Sequence, residues 1–285
     1  RSNFNLDNFK NKKGLSSKAK FKDQEWIPLS DAYQEITSVP GIPMGHIVLL
    51  RGHSDTGKTT ALLEAAVSAQ KTKILPVFII TEMKWNWEHA KQMGLQIDEV
   101  IDKETGEIVD YTGNFIYVDR ETINTIEDVS SFILDLIDEQ KKGNLPYDLL
   151  FNKVWTAKAE SPMGKPKLMN KGGFAMWFDS TFVVTFGNIM SAGTSKIKAI
   201  KDGKQVEFAK RVNVQIDKNH INGVTTRGRI VMTPHGFILD NDKALKTYKE
   251  QNAKAWKEIL GGGDFKIVEE DQNYEDITSY IGEPE

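Results

Sequence analysis

Continuous apolar runs alternate with helix-type patterns through the first half of the chain. A strand that is apolar on both faces is typical of a parallel sheet buried between layers of helices, so the alternation predicts that architecture. The predicted strands lie at 41–52 (GIPMGHIVLLRG), 73–82 (KILPVFIITE) and 114–119 (NFIYVD), and the predicted helices at 59–71, 86–95 and 126–142.

The pattern changes at residues 152–173, where Lys, Pro and Gly replace the apolar runs and indicate a long loop. Strand-like segments separated by Gly- or Lys-rich turns follow at 178–187, 210–218 and 228–239, and a helix is predicted at 243–260. We therefore predict an α/β fold with a mostly parallel, twisted sheet that is flanked by helices and extended by antiparallel strands.

Composition narrows the class of protein. None of the 285 residues is Cys, which excludes disulfides and thiolate metal sites and favours a cytoplasmic protein. No apolar run approaches the roughly 20 residues of a membrane span, so we expect no membrane partner.

The two ends of the chain carry opposite charge. Residues 1–22 hold seven Lys or Arg against Asp7, whereas the tail from Asp264 holds eight acids against Lys266. A basic arm could contact nucleic acid or a neighbouring subunit, and an acidic tail could compete with DNA for basic surfaces; solvated, disordered ends are equally compatible with this pattern. We expect a basic arm at 1–24, a core at 25–260 and an acidic tail at 261–285.

The segment Gly52–Thr59, GHSDTGKT, fits the phosphate-binding pattern G-x-x-x-x-G-K-[ST] between a predicted strand and a predicted helix. The backbone N–H groups of such a loop bind phosphates, while Lys58 reaches the β- and γ-phosphates and the Thr59 hydroxyl ligates Mg²⁺. We therefore expect a nucleoside triphosphate with Mg²⁺ at this loop. The predicted ligands are Gly52, His53, Ser54, Asp55, Thr56, Gly57, Lys58, Thr59 and Thr60.

Glu82 ends the second predicted strand. A carboxylate at the carboxyl end of a strand beside the phosphate loop lies near the γ-phosphate, where it can orient and deprotonate an attacking water. A solvated acid at a strand end is the alternative on this evidence.

Two of these segments resemble the RecA-type DNA recombinases, in particular their phage (UvsX-like) branch. GIPMGHIVLLRGHSDTGKTT (41–60) is similar to that family's entry into its ATP site, and ITEMKWNWEHAKQMGLQIDEV (80–100) is similar to the stretch after its second strand. The resemblance implies that ATP is the nucleotide and that Glu82 is the general base, because Glu82 stands at the family's spacing from Gly94.

The same resemblance assigns nucleotide contacts outside the loop. Asn86 and His89 stand where the family has an adenine-contacting acid and an adenine-stacking Tyr. VQIDKNHING (214–223) resembles a strand end that carries two lysines reaching the ATP of the neighbouring subunit, and Lys218 and His220 occupy those positions. A cation supplied in this way stabilises charge on the transferred phosphoryl group. A surface lysine at a strand end is the alternative for Lys218.

The loop at 152–173 and the segment NKGGFAMWFDS (170–180) resemble the family's second DNA-binding loop and the helix after it. Lysines supply charge for phosphates, glycines allow close approach of the backbone, and Trp155 could stack on a base. A solvated loop with one exposed aromatic residue is the alternative. Asn152 stands where the family has a γ-phosphate sensor, usually Gln. The predicted DNA-binding residues are Lys153, Trp155, Lys158, Lys165, Lys167, Lys171, Gly172 and Gly173.

The predicted strand YDLLF (147–151) runs directly into Asn152, whereas the family follows this strand with a Mg²⁺-holding Asp and a long further segment. Three explanations remain open: a segment omitted between Phe151 and Asn152, a genuine deletion, or Asp148 acting as the acid from the wrong end of the strand. The omitted segment is favoured because both flanks match the family at separated places.

The resemblance implies a DNA-stimulated ATPase that assembles with itself into a helical filament on single-stranded DNA and promotes strand exchange with duplex DNA. Mediator and single-strand-binding proteins are candidate partners. Two alternatives stay open: a ring-forming, helicase-type ATPase on the same core, and a recombination mediator that binds ATP and DNA without hydrolysis.

Overall fold

The computed structural model describes most of the core of the chain. It covers residues 5, 8, 12, 23–52, 55–80, 85–119, 121–123, 125–154, 179–189, 195–201 and 204–252, of which 126, 153, 154, 199–201, 205 and 206 are described by their backbone alone. The predicted basic arm therefore lies largely outside the described residues, and the predicted acidic tail lies outside them entirely.

The described part of the chain forms five helices and thirteen strands. The helices are α1 (Asp31–Thr37), α2 (Lys58–Lys71), α3 (Trp87–Gln92), α4 (Ile126–Lys141) and α5 (Asp242–Gln251). The strands are β1 (Trp26–Pro28), β2 (Gly41–Pro43), β3 (Val48–Gly52), β4 (Ile74–Ile80), β5 (Asp98–Ile101), β6 (Ile108–Thr112), β7 (Ile116–Val118), β8 (Asp148–Val154), β9 (Phe182–Asn188), β10 (Lys196–Lys201), β11 (Lys204–Asn219), β12 (Arg227–Thr233) and β13 (Gly236–Leu239). None of these helices is long and apolar enough to cross a membrane.

The strands form two main sheets and two small antiparallel pairs. In the larger sheet the order is β13-β12-β11-β9-β3, with β10 also paired to β11; β3 runs parallel to β9, and the other described pairings are antiparallel. In the smaller sheet β7 and β8 both pair in parallel with β4. The pairs β1–β2 and β5–β6 stand apart from both sheets. Parallel strands, flanking helices and an antiparallel extension confirm the predicted α/β fold class.

Helix α2 joins the two sheets because it is apolar on two faces. Ala61, Ala65 and Ala69, which recur once per turn, pack in the cluster that contains β9. Leu63 and Val67 pack in a second cluster with strand β4 and helix α3. This burial on both sides holds the start of α2, and with it the loop before the helix, in a fixed place between the sheets.

Strand β8 runs without interruption through Phe151 and Asn152. It pairs with β4 at seven positions, and Asp148 opens the strand opposite Ile74. Asp148 is therefore at the amino end of β8, the wrong end for an acid that serves the nucleotide. Asn152 lies inside the strand, two residues before its end, and not at the head of a loop as the sequence predicted.

Strands β3 and β8 do not pair with each other in the described part of the chain. Strand β3 is the last strand of the larger sheet and β8 the last of the smaller one, while α2 packs on both. An omitted segment between Phe151 and Asn152 stays a prediction.

Candidate nucleotide-binding site

The predicted phosphate loop connects β3 to α2. Strand β3 ends at Gly52, with a φ of 149°, and α2 begins at Lys58 after its N-cap Gly57, with a φ of 100°. The N–H groups of the first turn of α2 lie at this loop, and their partial positive charge attracts an anion. The strand–loop–helix setting is thus confirmed, while His53 and Ser54 lie outside the described residues.

Close packing explains both glycines of the loop. A Cβ on Gly52 would lie 2.1 Å from the carbonyl oxygen of Phe186, and a Cβ on Gly57 would lie 2.9 Å from the ring of Phe237. The loop is therefore seated against β9 and β13. A side chain at either position would therefore displace the loop from β9 or β13.

The remaining side chains of the loop differ in exposure. Thr59 is exposed and Lys58 half-buried, whereas Thr56 and Thr60 are buried. Thr59 and Lys58 are therefore accessible to a phosphate–metal group, and Thr60 faces the protein. Among the described residues no group of three or more His, Cys, Asp or Glu could hold a metal alone. A Mg²⁺ ion here would be bound by Thr59 together with phosphate oxygens, which fits the residues present.

Lys210 of β11 braces the loop, and no sequence signal indicated it. Its ammonium donates to the carbonyl oxygen of Asp55 at 3.1 Å and to Oδ1 of Asn188 at 2.9 Å. Asp55 is exposed and has a φ of 58°, in the left-handed region that a non-glycine residue rarely adopts. The brace therefore acts on the most strained described residue of the loop.

The predicted base-binding residues lie on α3. The Asn86 side chain caps this helix by accepting a hydrogen bond from the His89 N–H at 3.1 Å. Gly94, with a φ of 98°, follows the end of the helix, as the sequence predicted. Asn86 thus has a structural role as a cap, and its contact with adenine stays a prediction.

The structure brings a second imidazole to His89, which the sequence did not predict. Burial lowers the pKa of His89, and the charge of His235 lowers it further. His235 lies in the turn between β12 and β13, where its Nδ1 is 2.7 Å from the hydroxyl of Tyr248, and burial lowers its pKa too. Both rings therefore favour the neutral form, and a positive charge on His235 opposes protonation of His89.

The same turn reaches both helices of the site. A Cβ on Gly236 would lie 2.7 Å from Oε1 of Glu64 on α2 and 3.7 Å from Cε of Met93, just after α3. Phe237 follows directly and packs on Gly57. The turn that carries His235 thus contacts both α2, at the phosphate loop, and the end of the helix that carries His89.

The predicted general base follows the end of β4. This strand ends at the buried Ile80, and Glu82 stands two residues beyond it, outside the described residues. The sequence predicted a strand over 73–82 that ends at Glu82, whereas β4 ends at Ile80; the position of the carboxylate stays a prediction.

Lys218 and His220 lie at the end of the sheet opposite the phosphate loop. Gly52 pairs with Phe186 of β9, whereas Lys218 pairs with Val183, three residues nearer the start of that strand. The separation along the strand is about 10 Å. His220 is exposed in the turn after β11 and donates its N–H to the Thr181 carbonyl at 2.9 Å. Neither residue joins the chain's own nucleotide site.

Of the predicted DNA-binding region, the structure describes only its first residues, beginning with Asn152. Asn152 is buried at 7% exposure, and its Nδ2 lies 3.5 Å from the Leu150 carbonyl. Lys153 is described only by its backbone, in β8. The remaining predicted DNA-binding residues lie outside the described residues: Trp155, Lys158, Lys165, Lys167, Lys171, Gly172 and Gly173.

Comparison with known proteins finds similarity to RecA proteins. The family model of the RecA N-terminal domain matches residues 17–116. The RecA protein of Gloeobacter violaceus is 24% identical over 217 residues, which cover 69% of this chain and 58% of that protein. The RecA protein of Rippkaea orientalis is 26% identical over 203 residues, covering 64% and 57%. The RecA protein of Streptomyces coelicolor is 38% identical over 78 residues, covering 27% and 21%.

These matches support kinship with the RecA family. Each covers less than two thirds of the relative's own length. The stretch matched by the family model includes the phosphate loop, α2, β4 and α3, which are the elements that form the candidate site.

Proposed function

We propose that this protein is an ATP-dependent homologous recombinase of the RecA type, close to the phage branch. It would form filaments on single-stranded DNA, promote strand exchange with duplex DNA, and hydrolyse ATP when DNA is bound. The observation that carries the proposal is the placement of Lys218: Gly52, which opens the phosphate-loop motif, lies at one end of the sheet, and the cation expected to serve ATP lies at the other.

Two parts of the protein would bind one ATP molecule, one at its phosphates and the other at its base. The backbone N–H groups between Gly52 and Lys58 hold the phosphates, with Lys58 against the β- and γ-phosphates. Mg²⁺, bound by Thr59 and phosphate oxygens, would neutralise charge on the triphosphate. The base would lie against His89 and His235, whose neutral rings suit stacking.

Hydrolysis would use the carboxylate of Glu82. This group takes a proton from a water, the water oxygen forms a bond to the γ-phosphorus, and the bond from that phosphorus to the β–γ bridging oxygen breaks. The electron pair of that bond remains on ADP. Lys218 of a neighbouring copy would stabilise the negative charge that develops during this step.

The position of Lys218 favours action between copies. A lysine side chain is about 6 Å long, less than the separation of about 10 Å along β9 to the level of Gly52. Lys218 therefore does not reach phosphates held by its own loop. A site completed by the next copy gives a head-to-tail interface, which builds a filament when it does not close into a ring.

DNA would bind through the loop after β8. Its lysines would neutralise DNA phosphates and Trp155 would stack on a base. Asn152 would sense the γ-phosphate. Mediator and single-strand-binding proteins remain candidate partners in the same process.

The test is ATP turnover with and without single-stranded DNA, read together with negative-stain images. We expect DNA to stimulate turnover, Glu82→Gln to abolish it while ATP still binds, and wild type with ATP and DNA to form filaments. Absence of both stimulation and filaments would defeat the proposal, and closed rings would favour a helicase-type ATPase.

One observation favours a second candidate function. Strand β8 carries Asn152 where a Mg²⁺-holding acid was expected, and Asp148 lies at the strand's other end. A protein without that acid would bind ATP and DNA without turnover, as a recombination mediator. Nucleotide binding combined with no turnover by wild type in the same assay would select this candidate.

A further inference from the structure

A polar network ties the phosphate loop to the segment that carries Lys218. The Arg51 side chain donates from Nε to Oγ1 of Thr185 at 2.7 Å and from its terminal nitrogen to Oδ2 of Asp217 at 2.7 Å. The Thr185 hydroxyl donates to the same carboxylate. The Gln215 amide donates to the other carboxylate oxygen at 2.8 Å. Asp217 thus accepts hydrogen bonds from β3, β9 and β11.

Asp217 is also the site of a β-bulge. Ile216 pairs with Val184 of β9, and Lys218 pairs with the very next residue of that strand, Val183, so Asp217 has no partner in the register. A bulge adds one residue to one strand and reverses which face the following side chains occupy. The bulge therefore decides the face of the sheet on which Lys218 lies.

The two ends of this network lie next to residues with proposed functions. Arg51 directly precedes Gly52, the first residue of the phosphate loop, and Asp217 directly precedes Lys218. The ion pair is partly shielded, with side-chain exposures of 25% for Arg51 and 13% for Asp217. Three donors, from Arg51, Thr185 and Gln215 on three strands, converge on the single carboxylate of Asp217.

We propose that Asp217, held by Arg51, is a positioning residue for Lys218: it fixes the bulge that aims Lys218 at the ATP of a neighbouring copy. The inference rests on the proposed function. Without the carboxylate, the Arg51, Thr185 and Gln215 donors lose their shared acceptor, and regular pairing would move Lys218 to the other face. Misplacement of a catalytic group by about 1 Å can cost roughly 100-fold in rate.

The test is a double-mutant cycle on DNA-stimulated ATP turnover with Asp217→Ala, Lys218→Ala and both together. We expect Asp217→Ala to lower kcat by about 10- to 100-fold. If Asp217 acts through Lys218, Asp217→Ala should lower kcat by less than about twofold in a protein that already carries Lys218→Ala. Affinity of Lys218→Ala for ATP in the absence of DNA should be unchanged, because the chain's own loop does not use Lys218.

Asp240→Ala is the matched control. Asp240, just after β13, forms an ion pair at 2.7 Å with Arg211 of β11, and the two side chains are 10% and 19% exposed. Asp240→Ala therefore removes from β11 an ion pair comparable to that of Asp217, at a place away from Lys218. It should leave kcat within about twofold. If Asp217→Ala does not fold, Asp217→Asn, which keeps an acceptor for Gln215, takes its place with a smaller loss in the same direction.

The outcomes separate the two claims. If Lys218→Ala turns over ATP like wild type, the proposed role of Lys218 is wrong and the inference falls with it. If Lys218→Ala is impaired but Asp217→Ala is not, or if their losses multiply, the positioning role alone is wrong. If Asp240→Ala lowers kcat as much as Asp217→Ala does, the loss comes from a general weakening of β11, and the inference is wrong.

Discussion

The ammonium of Lys210 donates a hydrogen bond to the main-chain carbonyl of Asp55, 3.1 Å away. The two residues are 155 positions apart in the chain. Asp55 has a φ of 58°, a conformation that costs a non-glycine residue about 1 kcal/mol or more. The contact therefore stabilises the backbone of the predicted phosphate loop at its strained residue.

Lys210→Met should weaken ATP binding. It keeps the aliphatic part of the side chain but removes a hydrogen bond worth about 1 kcal/mol, so we expect the Kd for ATP to rise roughly fivefold. Isothermal titration in the absence of DNA measures it. Lys246→Met, at an exposed position of α5, is the control and should bind like wild type. Equal affinity of the two variants would show that the brace does not act on the nucleotide.

Gly52→Ala should abolish ATP binding and lower the melting temperature. The added Cβ would lie 2.1 Å from the Phe186 carbonyl oxygen, so β3 and β9 must separate or the loop must move. Gly45→Ala is the matched control, because Gly45 also has a positive φ, of 76°, but nothing within 4 Å of its Cβ. Gly45→Ala should lower the free energy of unfolding by about 1 kcal/mol and leave the affinity for ATP unchanged. Wild-type affinity in Gly52→Ala would contradict the packing argument.

The fold was predictable where burial was strong. The apolar runs at 73–82 and 114–119 became β4 and β7, and Gly57 starts α2 where the phosphate pattern required it. The β5–β6 hairpin was missed because its strands bury little: Ile101 and Val109 are 54% and 61% exposed, so no buried face marks them in the sequence.

The site was predictable only as far as local motifs extend. Gly52, Gly57 and Gly94 were identified because a tight turn or helix end leaves a mark within a few residues. Lys210 and His235 were not, because they come to the site through the pairing of β11 with β9 and of β12 with β13, which no local pattern records.

His89→Ala should weaken binding of ATP but not of inorganic tripolyphosphate. Stacking of one base on an aromatic ring contributes about 1–3 kcal/mol, so we expect roughly a tenfold rise in the Kd for ATP. The two ligands are compared by titration, since only ATP carries a base. His46→Ala is the control, because His46 is exposed and bonds Gln24 at 3.0 Å in the turn before β3. A parallel loss for both ligands would place His89 at the phosphates.

Glu64 links three parts of the structure through a buried carboxylate. Its Oε1 accepts from the Phe237 N–H at 2.7 Å and its Oε2 from the Ser30 N–H at 3.2 Å. Burial raises the pKa of Glu64 above its usual 4.5, and the hydrogen bonds from Phe237 and Ser30 only partly oppose the shift. Glu64 also raises the pKa of the neighbouring Tyr33, after the larger effect of burial, so that phenol stays neutral.

The raised pKa predicts that wild type loses stability relative to Glu64→Gln as pH rises from 4.5. Between the unfolded pKa and the raised folded pKa, the folded state binds more protons than the unfolded state, so the free energy of unfolding falls with increasing pH. Urea unfolding at intervals from pH 4.5 to 7.5 measures it for both proteins. The free energy of unfolding of wild type minus that of Glu64→Gln should fall through this window and become constant above the folded pKa of Glu64. The absolute stability of Glu64→Gln is not diagnostic, because a Gln amide nitrogen cannot accept from the Ser30 N–H. A difference that stays constant from pH 4.5 upward would mean that Glu64 titrates normally, and the buried link between α2 and the β12–β13 turn would then carry no pH dependence.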